Sequence, residues 1–117
     1  MVRAALLVSL LSLGPVSLSA VTAQAEEHVV IILDTAFFPD TTILRPGDVV
    51  RFVNESKQAK AIIHVQGVWE TPSIATGDAI WVTITPDMIG KFVSTSGKRI
   101  VGQLLLDEPS AADEEVR

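Results

Sequence analysis

The sequence predicts an all-β sandwich of about seven short strands, and three observations predict it. Runs of β-branched and aromatic residues recur between residues 28 and 106, each closed by Gly, Pro, Asn or Asp. The clearest of them, Ala79 to Thr85, places Ile80, Val82 and Ile84 on one face and Trp81, Thr83 and Thr85 on the other. No stretch carries the period of a long helix, so strands alone must bury their apolar faces against one another.

Met1 to Ala25 reads as a secretory signal peptide. Arg3 is its one basic residue, an apolar run follows, and Ala23-Gln24-Ala25 supplies the small-x-small cleavage pattern. Ser9, Ser12, Gly14, Pro15, Ser17 and Ser19 interrupt the run, which argues against a membrane anchor. The expected organisation is therefore a signal peptide over 1–25, one domain over 26–108 and an acidic, flexible tail over 109–117. Export to the periplasm or beyond follows as the expectation, with no transmembrane segment after cleavage.

Loss of Arg3 with the signal takes the formal charge from −5 to −6. An acidic chain with its charges spread out has no basic face for phosphates, so a nucleic-acid partner is not expected. Cysteine is absent from the chain. In an exported protein this excludes a disulfide staple, a thiolate metal site and a Cys nucleophile, and leaves the fold to its hydrophobic core.

Taken in order, His28 to Leu33 is a β-branched run that Asp34-Thr35 ends. Phe37 to Asn54 gives two strands about Arg45-Pro46-Gly47-Asp48, where Pro sets the first corner of a type II turn and Gly the second. Lys60 to Val68 is the next expected strand, followed by a loop to Gly77 and the alternating run. Thr85 to Gly90 reads as a turn or a single helical turn. Phe92-Val93 then ends a strand, Ser94 to Arg99 forms a loop, and Ile100 to Leu106 returns to the core.

Two of these stretches resemble the cupredoxins, the plastocyanin, amicyanin and azurin family, and the likeness runs over about residues 28–108. FFPDTTILRPGDVVRFVN matches the family's aromatic-x-Pro start, Pro-Gly-Asp turn and strand ending in an aromatic residue and Asn. FVSTSGKRIVGQLLL matches its closing strand, loop and strand. The resemblance implies a Greek-key β-sandwich and, on the second stretch, puts Ser94 at the family's Cys ligand, Gly97 at a His ligand and Ile100 at the Met. Aligned on Gly67-Val68, Lys60 falls at the first His; a shifted loop would give that place to His64.

A type 1 copper site needs a thiolate, two imidazoles and a weak axial ligand. The chain has no Cys and only His28 and His64, so no cofactor is expected by that route. Two other copper readings stand. Cleavage after Ala25 would make Glu26-Glu27-His28 the new start, resembling the amino-terminal motif in which an amine, two amides and an imidazole hold Cu(II) or Ni(II) in a plane. His64 and Met88 could furnish a weak Cu(I) site, although His64 on an apolar strand reads equally as a core histidine. Lys60, Lys91, Lys98 and Arg99 could form a basic docking patch, or be separate solvated side chains. Ser94-Thr95-Ser96 has no positioned base for nucleophilic chemistry, so an enzyme is not expected. The expected function is an exported binding or accessory module that contacts another exported protein, with copper binding as the alternative.

Overall fold

The computed structural model describes residues 24–107 together with Gly14. The expected signal segment, apart from Gly14, Gln24 and Ala25, and the expected tail lie outside the described residues. No described helix is long and apolar enough to cross a membrane.

Eight strands form two four-stranded sheets. They are β1 (Glu27–Ile32), β2 (Phe37–Phe38), β3 (Thr41–Leu44), β4 (Val49–Asn54), β5 (Ile62–His64), β6 (Ala79–Thr83), β7 (Gly90–Ser94) and β8 (Val101–Leu106). One sheet has the order β2-β1-β4-β6 and the other β3-β8-β7-β5. Both are mixed: β1 runs parallel to β4, and β3 parallel to β8. The sandwich expected from the alternating runs is the fold observed.

The first expected strand after Phe37 is split in two. Pro39 has no N–H to give to a ladder, and at Pro39-Asp40 the chain leaves the first sheet and enters the second. The Arg45–Asp48 turn closes as expected, with Asp48 N donating to Arg45 O at 3.0 Å and Gly47 at a φ of 92°. The run from Lys60 to Val68 yields a strand only at Ile62–His64. Gly67 N donates to His64 O at 2.9 Å with Gly67 at a φ of 76°, so the chain reverses there and leaves Val65 and Val68 exposed.

The core lies between the sheets. Val30, Ile32, Val50 and Phe52 of the first sheet face Leu44, Ile62, Phe92 and Leu104 of the second. Phe92 sits at its centre, edge-on to Phe37 at 4.8 Å and to Phe52 at 5.6 Å between ring centroids. Gly102 pairs with Phe92 across β7–β8 and leaves room for its ring, which a Cβ there would strike. Ile80 and Val82 pack on this core while Trp81 and Thr83 face out, as the alternation requires.

Candidate functional site

The register of β5 against β7 decides what stands at the end of the sandwich where the Ser94 to Ile100 loop emerges. Ile62 pairs with Ser94 and His64 with Phe92. Continuing outward, Thr95 N donates to Ala61 O at 3.0 Å, and Lys60 comes opposite Ser96. Lys60 is 2% exposed, and its Nζ donates to Ser96 O at 2.8 Å. A Cβ built on Gly97 would lie 3.4 Å from that Nζ. Lys60 is thus the side chain directed at the loop, and His64 is not.

Ser94 and Ile100 are buried on the same loop, with Ser94 N donating to Ile100 O at 3.2 Å. Ser94 Oγ reaches only Lys98 O, at 3.5 Å. The pole therefore holds an amino group, a hydroxyl, a glycine at a φ of 73° and a hydrocarbon side chain. This donor set does not fit a type 1 copper ion. A hard hydroxyl cannot replace thiolate, and a lysine ammonium repels the cation.

The pole is built on a polar hub at Asn54, which the sequence showed only as the residue ending a strand in the family-like stretch. Asn54 is fully buried at the end of β4, and its Nδ2 donates to Gln58 O and Ile74 O, both at 2.8 Å. Its Oδ1 accepts from Ser56 N at 2.9 Å and from Ser56 Oγ at 2.6 Å. Ile74 and Lys60 exchange backbone hydrogen bonds of 2.8 and 3.0 Å, so the amide of Asn54 braces the segment that presents Lys60. Beside it, Asp34, Lys57, Gln58, Lys60, Gly97 and Lys98 line an open cleft of about 240 Å³.

His64 stands toward the other end of β7. Its Nε2 donates to Ile89 O at 2.9 Å, and Gln66 N donates to its Nδ1 at 3.2 Å, so both ring nitrogens are engaged by backbone. Met88 follows the Pro86–Met88 helical turn, and its sulfur accepts from Thr85 N at 3.4 Å. Its carbonyl takes the Trp69 indole N–H at 2.9 Å. The two residues lie near each other without offering free donors to one ion. Lys91 shares a cleft with His64, Ile89 and Gly90, which separates it from Lys60 and Lys98. Arg99 is exposed on the loop.

The N-terminal residues make a different constellation from the planar four-nitrogen motif. Glu27–Ile32 is extended and paired with β4, so its amides do not curl around one point. Glu26 N donates to Asp48 Oδ1 at 3.0 Å, while His28 Nε2 and Arg45 N meet Asp48 Oδ2 at 2.9 and 3.0 Å. Asp48 is 5% exposed, and these bonds, led by the Arg45 and Glu26 N–H groups, hold its carboxyl at about 2. Single donor atoms of Glu26, His28 and Asp48 lie within 4.8 Å of one another. Glu27 points elsewhere, accepting the Trp81 indole N–H at 2.7 Å. Asp48 was visible in the sequence only as a turn residue; the parallel pairing of β1 and β4 brings it to Glu26.

No protein-family model and no curated protein sequence matches the chain. Solved structures do. A copper-containing nitrite reductase from Thermus scotoductus SA-01 superposes with a TM-score of 0.57 at 23% identity, over 83% of this chain and 26% of that one. The chain thus spans about a quarter of the reductase. A purple cupredoxin from Nitrosopumilus maritimus gives 0.53 at 17% identity, over 68% of this chain and 99% of that one. An oxidised amicyanin, in a methionine-to-leucine variant, gives 0.54 at 18% identity, over 68% and 81%.

Proposed function

We propose that the chain, whose fold is cupredoxin-like, is an exported, non-enzymatic binding module without a type 1 copper site, and that it meets another exported protein through the pole carrying Lys60 and the Ser94 to Ile100 loop. One observation carries this reading: Lys60 fills the pole from inside, its amino group on Ser96 O, with Ser94, Gly97 and Ile100 around it. A scaffold whose metal end is sealed by an amine does not need a redox ion there, but keeps a rigid, loop-bearing end suited to contact.

The test is voltammetry of the processed protein with and without added Cu(II), beside cross-linking from cysteines placed singly at Lys98 and Lys91. The module predicts no reversible couple and one exported partner captured from position 98 and not from 91. A reversible copper couple contradicts it.

A second reading, divalent copper capture at the mature start, is favoured by the approach of Glu26, His28 and Asp48. It would use one imidazole and two carboxylates, joined by the α-amine once the signal is cut. Loss of Cu(II) binding in His28→Gln but not in His64→Gln is its signature.

A further inference from the structure

We infer that the cleft beside Lys60 binds a small oxyanion, an inference that rests on the binding-module reading and names the chemistry of its contact site. Among the described residues the ion pairs are His28 with Asp48 and Arg45 with Asp107, so no carboxylate lies within 4.0 Å of Lys60 Nζ. Its one acceptor is the neutral Ser96 carbonyl at 2.8 Å, although an ammonium offers three N–H donors. A charge 2% exposed with so few partners costs free energy unless an anion or several dipoles complete its shell.

The cleft supplies the place for that anion. Lys57 and Lys98 line it with Lys60, and Asp34 is the single acidic residue among its lining, so an acidic chain carries a local positive excess here. Gln58 also lines the cleft, its Oε1 lying 3.0 Å from where a Cβ on Gly97 would sit; the missing side chain keeps the floor open. The volume of about 240 Å³ is several times the roughly 30 Å³ share of a water molecule. An oxyanion of a few heavy atoms fits, and it is either a free ion or the carboxylate of a partner's acidic side chain.

The experiment titrates the processed protein with inorganic phosphate and, separately, with acetate, and follows backbone amide NMR shifts at fixed ionic strength. Saturable shifts at Gln58, Gly97 and Lys98 are expected, at least tenfold weaker in Lys60→Met and several-fold weaker in Lys57→Ala and Lys98→Ala. Asp34→Asn should tighten binding several-fold. Saturation by phosphate alone identifies a free oxyanion, and saturation by acetate identifies a carboxylate. No saturation with either, or shifts unchanged in both Lys60→Met and the rim variants, overturns the inference. Cu(II) added to the same samples separates the two claims, because an intense blue band overturns the binding-module reading while absent anion binding leaves it standing.

Discussion

Lys60 Nζ and the carbonyl of Ser96 are 36 residues apart in sequence and 2.8 Å apart in space. That bond ties the segment leaving β4 to the loop between β7 and β8, and it occupies the end of the sandwich that the cupredoxin resemblance reserves for metal. The stem of Lys60 is buried and contributes packing, whereas its charge opposes burial.

The two effects can be separated by substitution. Lys60→Met keeps the packing and removes the charge, so in anion-free buffer it should be at least as stable as the parent. Lys60→Ala loses the stem as well and should fall about 2 kcal/mol below the Met variant. Urea unfolding of the two variants measures the difference; equal midpoints would mean that the stem packs against nothing.

Asn54 satisfies two carbonyls and one backbone N–H in a fully buried place. Asn54→Ala leaves Ser56 N bare and takes one of two donors from each carbonyl, Gln58 O keeping Ser56 Oγ and Ile74 O keeping Lys60 N, and should cost about 1–3 kcal/mol. Amide exchange should quicken at Lys60 and Ile74 more than in β8. A uniform loss with no excess at the pole would remove Asn54 as its brace.

Stability should fall in acid through Asp48. Its carboxyl titrates at about 2 in the folded chain against 3.8 in the unfolded one, because backbone N–H groups of Arg45 and Glu26 and the His28 ring favour the ionised form. The folded value is the lower, so this contribution is complete above about 4 and is lost as the pH drops toward 2. Asp48→Asn should be less stable by about 1–2 kcal/mol at neutral pH and show a shallower acid limb. Parallel limbs in the two proteins would locate acid sensitivity elsewhere.

Gly102→Ala tests the packing at the centre of the core. Its Cβ would strike the Phe92 ring and approach Phe37 Cδ2 to 3.1 Å, and both rings are closely held. The cost should be about 1–3 kcal/mol or more, read as a lowered melting temperature. A Phe92→Leu exchange in the same chain should recover part of it.

Much of the sandwich was legible because it is written locally. The alternation of Ala79 to Thr85 and the Pro46-Gly47 turn each depend on neighbours in sequence, and both stand as read. Lys60 to Val68 misled because a β-rich stretch of strand length does not reveal that the chain reverses at Gly67. The choice between Lys60 and His64 was not legible for a related reason: it depends on pairing Ile62 with Ser94, a register set by a partner 32 residues away. That Ser94, Gly97 and Ile100 stand where the resemblance expects copper ligands was legible from the matching motif, and so was Lys60 as one candidate for the first-His place; its bond to Ser96 O was not. Nor was the meeting of Asp48 with Glu26 and His28, which arises from parallel pairing across two strands.

The central claim is that Lys60 has closed this pole to metal. The most direct measurement is the visible spectrum of the processed His28→Gln protein titrated with Cu(II), since removing His28 silences the N-terminal cluster and leaves the pole alone. The account predicts no copper-dependent charge-transfer absorption and amide shifts near Lys60 and Ser94 that do not move. An intense blue absorption, or copper-dependent shifts centred on the Ser94 to Ile100 loop, would contradict it.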